Sequence, residues 1–205
     1  MPRSFPLAAL ALALLGLTLP VLAGALEVGD TAPDFTLTDL AGKEHHLADY
    51  LEAGHVVVLE WFNPDCPFIK KHHEAHHTMD DTFADFAESG VVWLAINSGA
   101  PGKQGAGLER NQQAAKDYDV SFPILLDASG DVGRAYAAKT TPHMFVIDAK
   151  GIVRYDGAID DAPNPGGDLG ENYVAAALNQ LLAGEDIAVA SSKPYGCSVK
   201  YGDKG

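Results

Sequence analysis

The sequence predicts an α/β fold with a central mixed β-sheet flanked by helices. Short apolar runs recur along the chain, helix-like segments separate most of them, and the last two runs are joined by only two residues. Strands separated by helices pair in parallel, whereas a two-residue connection joins antiparallel neighbours. We therefore expect parallel strands first and an antiparallel pair near the end.

Five apolar runs have the length and composition of buried strands. Lys150 and Gly151 alone separate the last two, which predicts a hairpin with a tight turn. The runs are HVVVLEWF (55–62), VVWLAINS (91–98), FPILLDA (122–128), HMFVIDA (143–149) and IVRYDGAI (152–159).

Helix-like segments lie between and after these strands. The longest, 70–89, places Phe83, Phe86 and Ala87 on one helical face and is followed by Gly90, which suits a helix end. Two stretches rich in Gly, Pro and Asp are predicted loops, at 97–107 and 160–170. The other helical segments are 107–120, 131–138 and 171–185.

Composition limits the function classes. At 205 residues, with 47% hydrophobic and 20% charged residues, the chain suits one globular domain. Its formal net charge is −14, from 28 acidic and 14 basic residues. Because like charges repel at long range, nucleic acid and anionic membrane surfaces are poor partners.

The first 25 residues are predicted to be a cleaved signal peptide. Arg3 precedes an apolar run at 7–22, and A-G-A at 23–25 resembles a cleavage site. A membrane anchor is the alternative, but the run is short and rich in alanine. We expect a periplasmic or secreted protein, without a membrane part after cleavage, in a compartment where disulfides persist. The predicted units are a signal peptide (1–25), a domain (26–185) and a C-terminal tail (186–205).

Three motifs resemble the peroxiredoxin and thioredoxin-like superfamily. They are VGDTAPDF (28–35), VVVLEWFNPDCPF (56–68) and TTPHMFVID (140–148), in the order and spacing of that superfamily. The resemblance implies a thioredoxin-like fold with an N-terminal β-hairpin extension. It also implies an active cysteine, Cys66, that opens a helix opposite a cis peptide bond between Thr141 and Pro142.

The sequence departs from the superfamily at the second active-site position. Ile69 stands where a thioredoxin has its second cysteine and a typical peroxiredoxin its peroxidatic cysteine. The threonine and arginine that assist peroxide cleavage have no evident match, and Arg134, in a helix-like segment, is a poor substitute. The chain thus resembles a redoxin subgroup, similar to alkyl hydroperoxide reductase/thiol-specific antioxidant proteins, that keeps only the first thioredoxin cysteine.

Cys66 has the surroundings of a reactive thiol. Pro67 suits a first helical turn, so Cys66 would face free backbone N–H groups and the positive end of the helix dipole, which favour thiolate. Asp65 opposes this effect, and Lys70 and Lys71 follow about one turn later. An inert buried cysteine is the alternative.

Cys197 is the only other cysteine. We expect it either to form a disulfide with Cys66, as a resolving cysteine or a cap, or to remain a free or intermolecular thiol. Pro194 and Gly196 suggest an exposed, bendable tail, in which Tyr195 and Val199 can pack against the domain.

The resemblance implies that the Thr141 backbone binds the extended chain of a partner. His143 either carries protons for Cys66 or has no role. His72 and His76, like His73 and His77, have the i, i+4 spacing of a helical metal site, which Cys66 could complete. We favour a solvated helix face and no metal.

The predicted function is an exported thiol redox enzyme, either a thiol-disulfide oxidoreductase or a peroxiredoxin-like antioxidant. The alternatives are a copper- or zinc-binding protein and a thioredoxin-fold binding module without chemistry. The predicted partners are thiols, disulfides or peroxides, with no cofactor. Substrate, electron donor and oligomeric state stay open. The predicted catalytic residues are Cys66, Thr141, Pro142 and Cys197.

Overall fold

A computed structural model describes Met1 and residues 26–203. The predicted signal peptide, apart from Met1, lies outside the described residues. Within the described part of the chain, no helix has the length and apolar character needed to cross a bilayer.

Of the nine strands in the described residues, seven form one mixed sheet, in the order β2-β1-β5-β4-β3-β7-β8. Strands β3, β4 and β5 are parallel, and β7 and β8 form the antiparallel hairpin. Strands β6 and β9 form a separate antiparallel pair. All five predicted strands and the sense of their pairing are confirmed. The strands are β1 (Thr36–Asp39), β2 (Glu44–His46), β3 (Val56–Trp61), β4 (Val91–Asn97), β5 (Ile124–Leu126), β6 (Thr140–Thr141), β7 (Met144–Ile147), β8 (Val153–Gly157) and β9 (Cys197–Ser198).

Helices cover both faces of the sheet. On one face, α3, α4 and α6 pack against side chains such as Val58 and Trp93. On the other, α1 and α5 pack against Val57 and Leu94. Strand β3 is therefore buried on both faces, which explains its continuous apolar run. The helices are α1 (Leu47–Glu52), α2 (Pro67–Lys70), α3 (Thr78–Ala87), α4 (Leu108–Asp117), α5 (Asp131–Ala135) and α6 (Tyr173–Leu182).

The continuous helix predicted over 70–89 is wrong. Helix α2 ends at Lys70, a π-helical turn covers Lys71–Ala75, and His77 takes a left-handed conformation with φ 50° before α3. Lys71, His72 and His73 are all buried. One face of a regular α-helix cannot bury three consecutive residues, because neighbours point about 100° apart. The break also removes the helical spacing assumed for the four histidines.

The tail is fastened to the domain, and the expectation of an exposed segment is wrong for Pro194 and Gly196, which are partly buried. Its β9 pairs with β6, and Lys200 O accepts the Ala100 N–H at 2.9 Å. The packing expected of Tyr195 and Val199 is confirmed, since they contact the cores on opposite faces of the sheet.

Candidate active site

Cys66 lies at the start of α2, directly after the loop that leaves β3. It is the N-cap residue, Pro67 is the first helical residue, and the Lys70 N–H donates to Cys66 O at 3.0 Å. The predicted helix start is thus confirmed, while its effect on thiolate formation stays a prediction. The side chain is only 1% exposed.

Thr141 and Pro142 face this cysteine, and the peptide bond between them is cis, as the resemblance implied. In the thiol form, Cys66 Sγ donates its hydrogen to Thr141 O across 2.9 Å. The segment that carries the carbonyl is β6, a two-residue strand beside the helix start.

Cys197 lies against the same site. It pairs with Thr141 in the antiparallel register of β6 and β9, and Thr141 O is the atom that Cys66 Sγ contacts. Burial, and then the neighbouring Cys66 side chain, raise the pKa of Cys197 to about 11, so its thiol is protonated near pH 7. Both cysteines are free. The structure therefore brings together Cys66, Thr141, Pro142 and Cys197.

Four side chains, here called the tail cluster, join the helical segment after Cys66 to the tail: Lys71, His72, Asp160 and Tyr195. The Tyr195 hydroxyl donates to Asp160 and lies 2.9 Å from His72 Nε2. Lys71 Nζ donates to Ala162 O at 2.7 Å and lies 3.9 Å from Asp160 Oδ2. Burial lowers the pKa of His72 to about 4, so its ring is neutral near pH 7.

A second set, here called the core cluster, joins the same segment to the sheet: Glu60, His73, Asp80 and Trp93. Glu60 accepts from His73 Nε2 at 2.7 Å and from Trp93 Nε1 at 3.1 Å. Asp80 Oδ2 lies 3.4 Å from His73 Nδ1. Burial alone would lower the pKa of His73, but the charges of Glu60 and Asp80, together with the hydrogen bond to Glu60, raise it to about 9. His73 is therefore an imidazolium near pH 7.

Arg110 and Tyr118 are site residues that the sequence analysis missed. Arg110 Nη2 pairs with Asp65 Oδ1 at 2.7 Å, and the Tyr118 hydroxyl donates to Pro64 O at 2.7 Å. The arginine thus partly compensates the carboxylate expected to oppose a Cys66 thiolate. Their eight-residue spacing is typical of one helix face, but it does not indicate which loop they reach.

Two other candidates have their hydrogen-bond partners outside the set Cys66, Thr141, Pro142 and Cys197. His143 Nδ1 accepts the Lys139 N–H at 3.2 Å, and Nε2 lies 2.7 Å from Asp156 Oδ1, so both ring nitrogens have other partners. Arg134 lies 4.9 Å from the Tyr201 ring and donates to Gly202 O, so it contacts the tail at these two residues.

No metal arrangement is found within residues 26–203. No group of three or more His, Cys, Asp or Glu side chains there could hold an ion. Both ring nitrogens of His72 face hydroxyls, those of Thr78 and Tyr195. Zinc sites need such nitrogens free to coordinate. The geometry therefore gives no support to a site built on His72 and His76.

Comparison with known proteins places this geometry in a family. The AhpC/TSA family model matches residues 28–156. The thiol-disulfide oxidoreductase ResA of Geobacillus thermodenitrificans is 34% identical over 131 residues, which cover 63% of this chain and 68% of that protein. These matches agree with the redoxin resemblance.

Solved structures agree on the fold. An uncharacterized conserved protein from Geobacillus kaustophilus superposes with a TM-score of 0.79 and 30% identity, over 87% of this chain and 94% of that chain. The thioredoxin domain of the thiol-disulfide oxidoreductase BVU-2223 from Bacteroides vulgatus has a TM-score of 0.54 and 21% identity, over 64% and 89%. The predicted thioredoxin-like fold is confirmed.

Proposed function

We propose that this chain, which belongs to the AhpC/TSA family, is a thiol-disulfide oxidoreductase that uses Cys66 and Cys197 as its redox pair. The observation that carries the proposal is that Thr141 brings the two cysteines together: its carbonyl oxygen lies 2.9 Å from Cys66 Sγ at a helix start, and its strand pairs it with Cys197. The reaction class has the support of the relative named thiol-disulfide oxidoreductase. At the level of that class, the predicted thiol redox function is confirmed.

The reaction is thiol-disulfide exchange in two steps. The Cys66 thiolate attacks one sulfur of an external disulfide, whose other sulfur leaves as a thiolate and takes up a proton. Cys197 then loses its proton and attacks Cys66 in the mixed disulfide, which releases the second external thiol. The external disulfide gains two electrons and two protons, and Cys66 and Cys197 lose them. The reverse sequence oxidises an external dithiol.

The raised pKa of Cys197 suits its place in this sequence. Because Cys197 is protonated near pH 7, it does not compete with Cys66 for the external disulfide. It becomes a nucleophile only when a mixed disulfide forms beside it and its proton is taken up by a leaving thiolate. Cys66 is therefore the first nucleophile and Cys197 the resolving cysteine.

Thr141 supplies the backbone edge that orients a substrate. The edge already forms a strand pair with the chain's own Cys197, so it has the geometry for an extended segment. A protein disulfide presented as an extended chain is the substrate class that this edge suits. Export to the periplasm or beyond, after removal of residues 1–25, would place the enzyme where such disulfides persist.

Peptide mapping of the full-length protein tests the proposal. Protein at low concentration is treated with oxidised glutathione or, separately, with hydrogen peroxide, and its cysteine peptides are identified by mass. We expect Cys66 and Cys197 in one linked peptide after glutathione treatment. In Cys197→Ser, Cys66 should stop as a mixed disulfide with glutathione. The proposal is overturned if the two cysteines of wild-type protein are found only in separate peptides. If hydrogen peroxide links them and oxidised glutathione does not, the protein is a peroxidase instead.

A further inference from the structure

The reactive sulfur is covered in this structure. Cys66 is 1% exposed, and the tail pairs along Thr141, the edge that an external chain would use. An exchange reaction requires the attacking sulfur to approach the external disulfide in line. The tail therefore has to leave its strand pairing before a protein disulfide reaches Cys66.

Tyr195 is the point at which the tail is tied to the active-site helical segment. Its ring packs on Phe68 with centroids 5.5 Å apart, and its hydroxyl contacts Asp160 and His72. A tyrosine has one hydroxyl hydrogen, which Asp160 accepts, so His72 Nε2–H donates to the hydroxyl oxygen. The neutral ring of His72 fits this pattern, because its Nδ1 is then free to accept from Thr78, 3.3 Å away.

Gly196 fixes how closely the tail approaches. Its φ is +140°, and a Cβ at this position would lie 2.2 Å from Thr141 O. Only glycine permits this contact. A side chain here would push the tail away from Thr141, so Gly196 and Tyr195 together hold one register, in which Cys197 lies against Cys66.

We propose that Tyr195 is a latch and a positioning residue. Its hydrogen bonds to Asp160 and His72 seat the tail so that Cys197 is presented to Cys66 and the Thr141 edge is closed to external chains. A protein substrate competes with the tail for this edge, and release of Tyr195 opens it. The positioning of Cys197 rests on the proposed function, whereas the closing of the edge does not.

Two measurements on full-length protein test the latch with the variant Tyr195→Phe. In the Cys197→Ser background, Cys66 is the sole thiol, and we measure the rate of its alkylation by iodoacetamide. With both cysteines present, we measure the equilibrium between the dithiol and the disulfide in glutathione buffers. Loss of a hydrogen bond to a charged group corresponds to a factor of about 10 or more. We expect alkylation to become about 10-fold faster and the disulfide about 10-fold less favoured.

The matched control is Tyr136→Phe. Its hydroxyl is also bonded to the protein, donating to Pro33 O at 2.7 Å, but it lies in the core on the other face of the sheet. The Tyr136→Phe substitution should leave both the alkylation rate and the dithiol–disulfide equilibrium unchanged. Gly196→Ala is the second variant, since it keeps Tyr195 but blocks the close approach, and it should shift both measurements in the direction of Tyr195→Phe.

The latch is overturned if Tyr195→Phe leaves the alkylation rate of Cys66 unchanged in the Cys197→Ser background. It is also overturned if Tyr195→Phe leaves the dithiol–disulfide equilibrium unchanged when both cysteines are present. If wild-type protein forms no Cys66–Cys197 disulfide, the proposed function fails, and alkylation alone then decides the latch. If Tyr136→Phe accelerates alkylation as much as Tyr195→Phe, loss of any buried hydroxyl has the same effect and the latch is also overturned.

Discussion

The tail cluster and the core cluster differ in what they attach to the helical segment after Cys66. His72 and His73 are adjacent, yet His72 is neutral among hydroxyls and His73 is charged between two carboxylates. The core cluster joins the segment to strands β3 and β4 and to α3. The tail cluster joins it to a segment that has to move.

The two clusters differ in how much free energy it costs to separate their buried polar contacts. Separation of Glu60 from His73 would leave a buried imidazolium with one carboxylate fewer, which is costly. Release of Tyr195 separates no ion pair, because Lys71 keeps both its hydrogen bond to Ala162 and its proximity to Asp160. The core cluster therefore suits a permanent joint and the tail cluster a latch.

Substitution in the core cluster should change stability more than any other substitution proposed for this protein. Glu60→Gln removes one carboxylate from the buried His73 while keeping side-chain size, and breaking a buried ion pair costs about 3–5 kcal/mol. We expect a loss of about 3 kcal/mol or more in the free energy of unfolding, measured by denaturant titration. Glu74→Gln, an exposed change on the same turn, should stay within about 0.5 kcal/mol of wild type. A loss in Glu60→Gln no larger than in this control would remove the distinction between the clusters.

The two histidines should make the free energy of unfolding depend on pH in opposite directions. His73 gives an alkaline limb, in which stability falls as pH rises, and His72 gives an acid limb, in which stability falls as pH falls. His73 has its folded pKa raised from 6.5 to about 9, so its contribution is complete below pH 6.5 and is lost as pH rises through 9. His72 has its folded pKa lowered from 6.5 to about 4, so its contribution is present above pH 6.5 and is lost as pH falls towards 4. Across each limb, the free energy of unfolding should change by at most a few kcal/mol, on the order of 3.

Variants separate the limbs. In denaturant titrations from pH 4 to 9, His72→Gln should flatten the acid limb, and Glu60→Gln should flatten the alkaline limb. Each variant should leave the other limb in place. If both variants flatten the same limb, the assignment of opposite protonation states to these neighbours is wrong.

A substitution outside both clusters, at Arg110, should have a weaker effect. Arg110→Gln leaves the Asp65 carboxylate uncompensated, and this charge repels negative charge developing on the adjacent sulfur. Since a partly exposed ion pair contributes at most about 1 kcal/mol, alkylation of Cys66 in the Cys197→Ser background should slow by about two- to fivefold. Arg154→Gln breaks a comparable pair with Asp148, 3.3 Å apart, and should not change the rate. Equal rates for the two variants would exclude Arg110 from the site.

The sequence predicted features set by local pattern. Apolar runs located the five strands, and Cys66-Pro67 indicated the helix start. What failed depends on contacts between distant residues. Tyr195 meets His72 from 123 positions away, and Arg110 meets Asp65 from 45 positions away. The break after Lys70 follows from tertiary burial of three consecutive polar side chains, which helical periodicity cannot indicate.

Intact mass tests directly whether Cys66 and Cys197 form one two-electron couple. Full-length protein and Cys197→Ser are equilibrated across a series of glutathione to oxidised glutathione ratios, quenched with acid and analysed by intact mass. Oxidised wild type should be lighter by two hydrogen atoms and carry no glutathione, while Cys197→Ser should carry one glutathione. If oxidised wild type also carries one glutathione, with Cys197 still a free thiol, the tail does not resolve Cys66 and the account is contradicted.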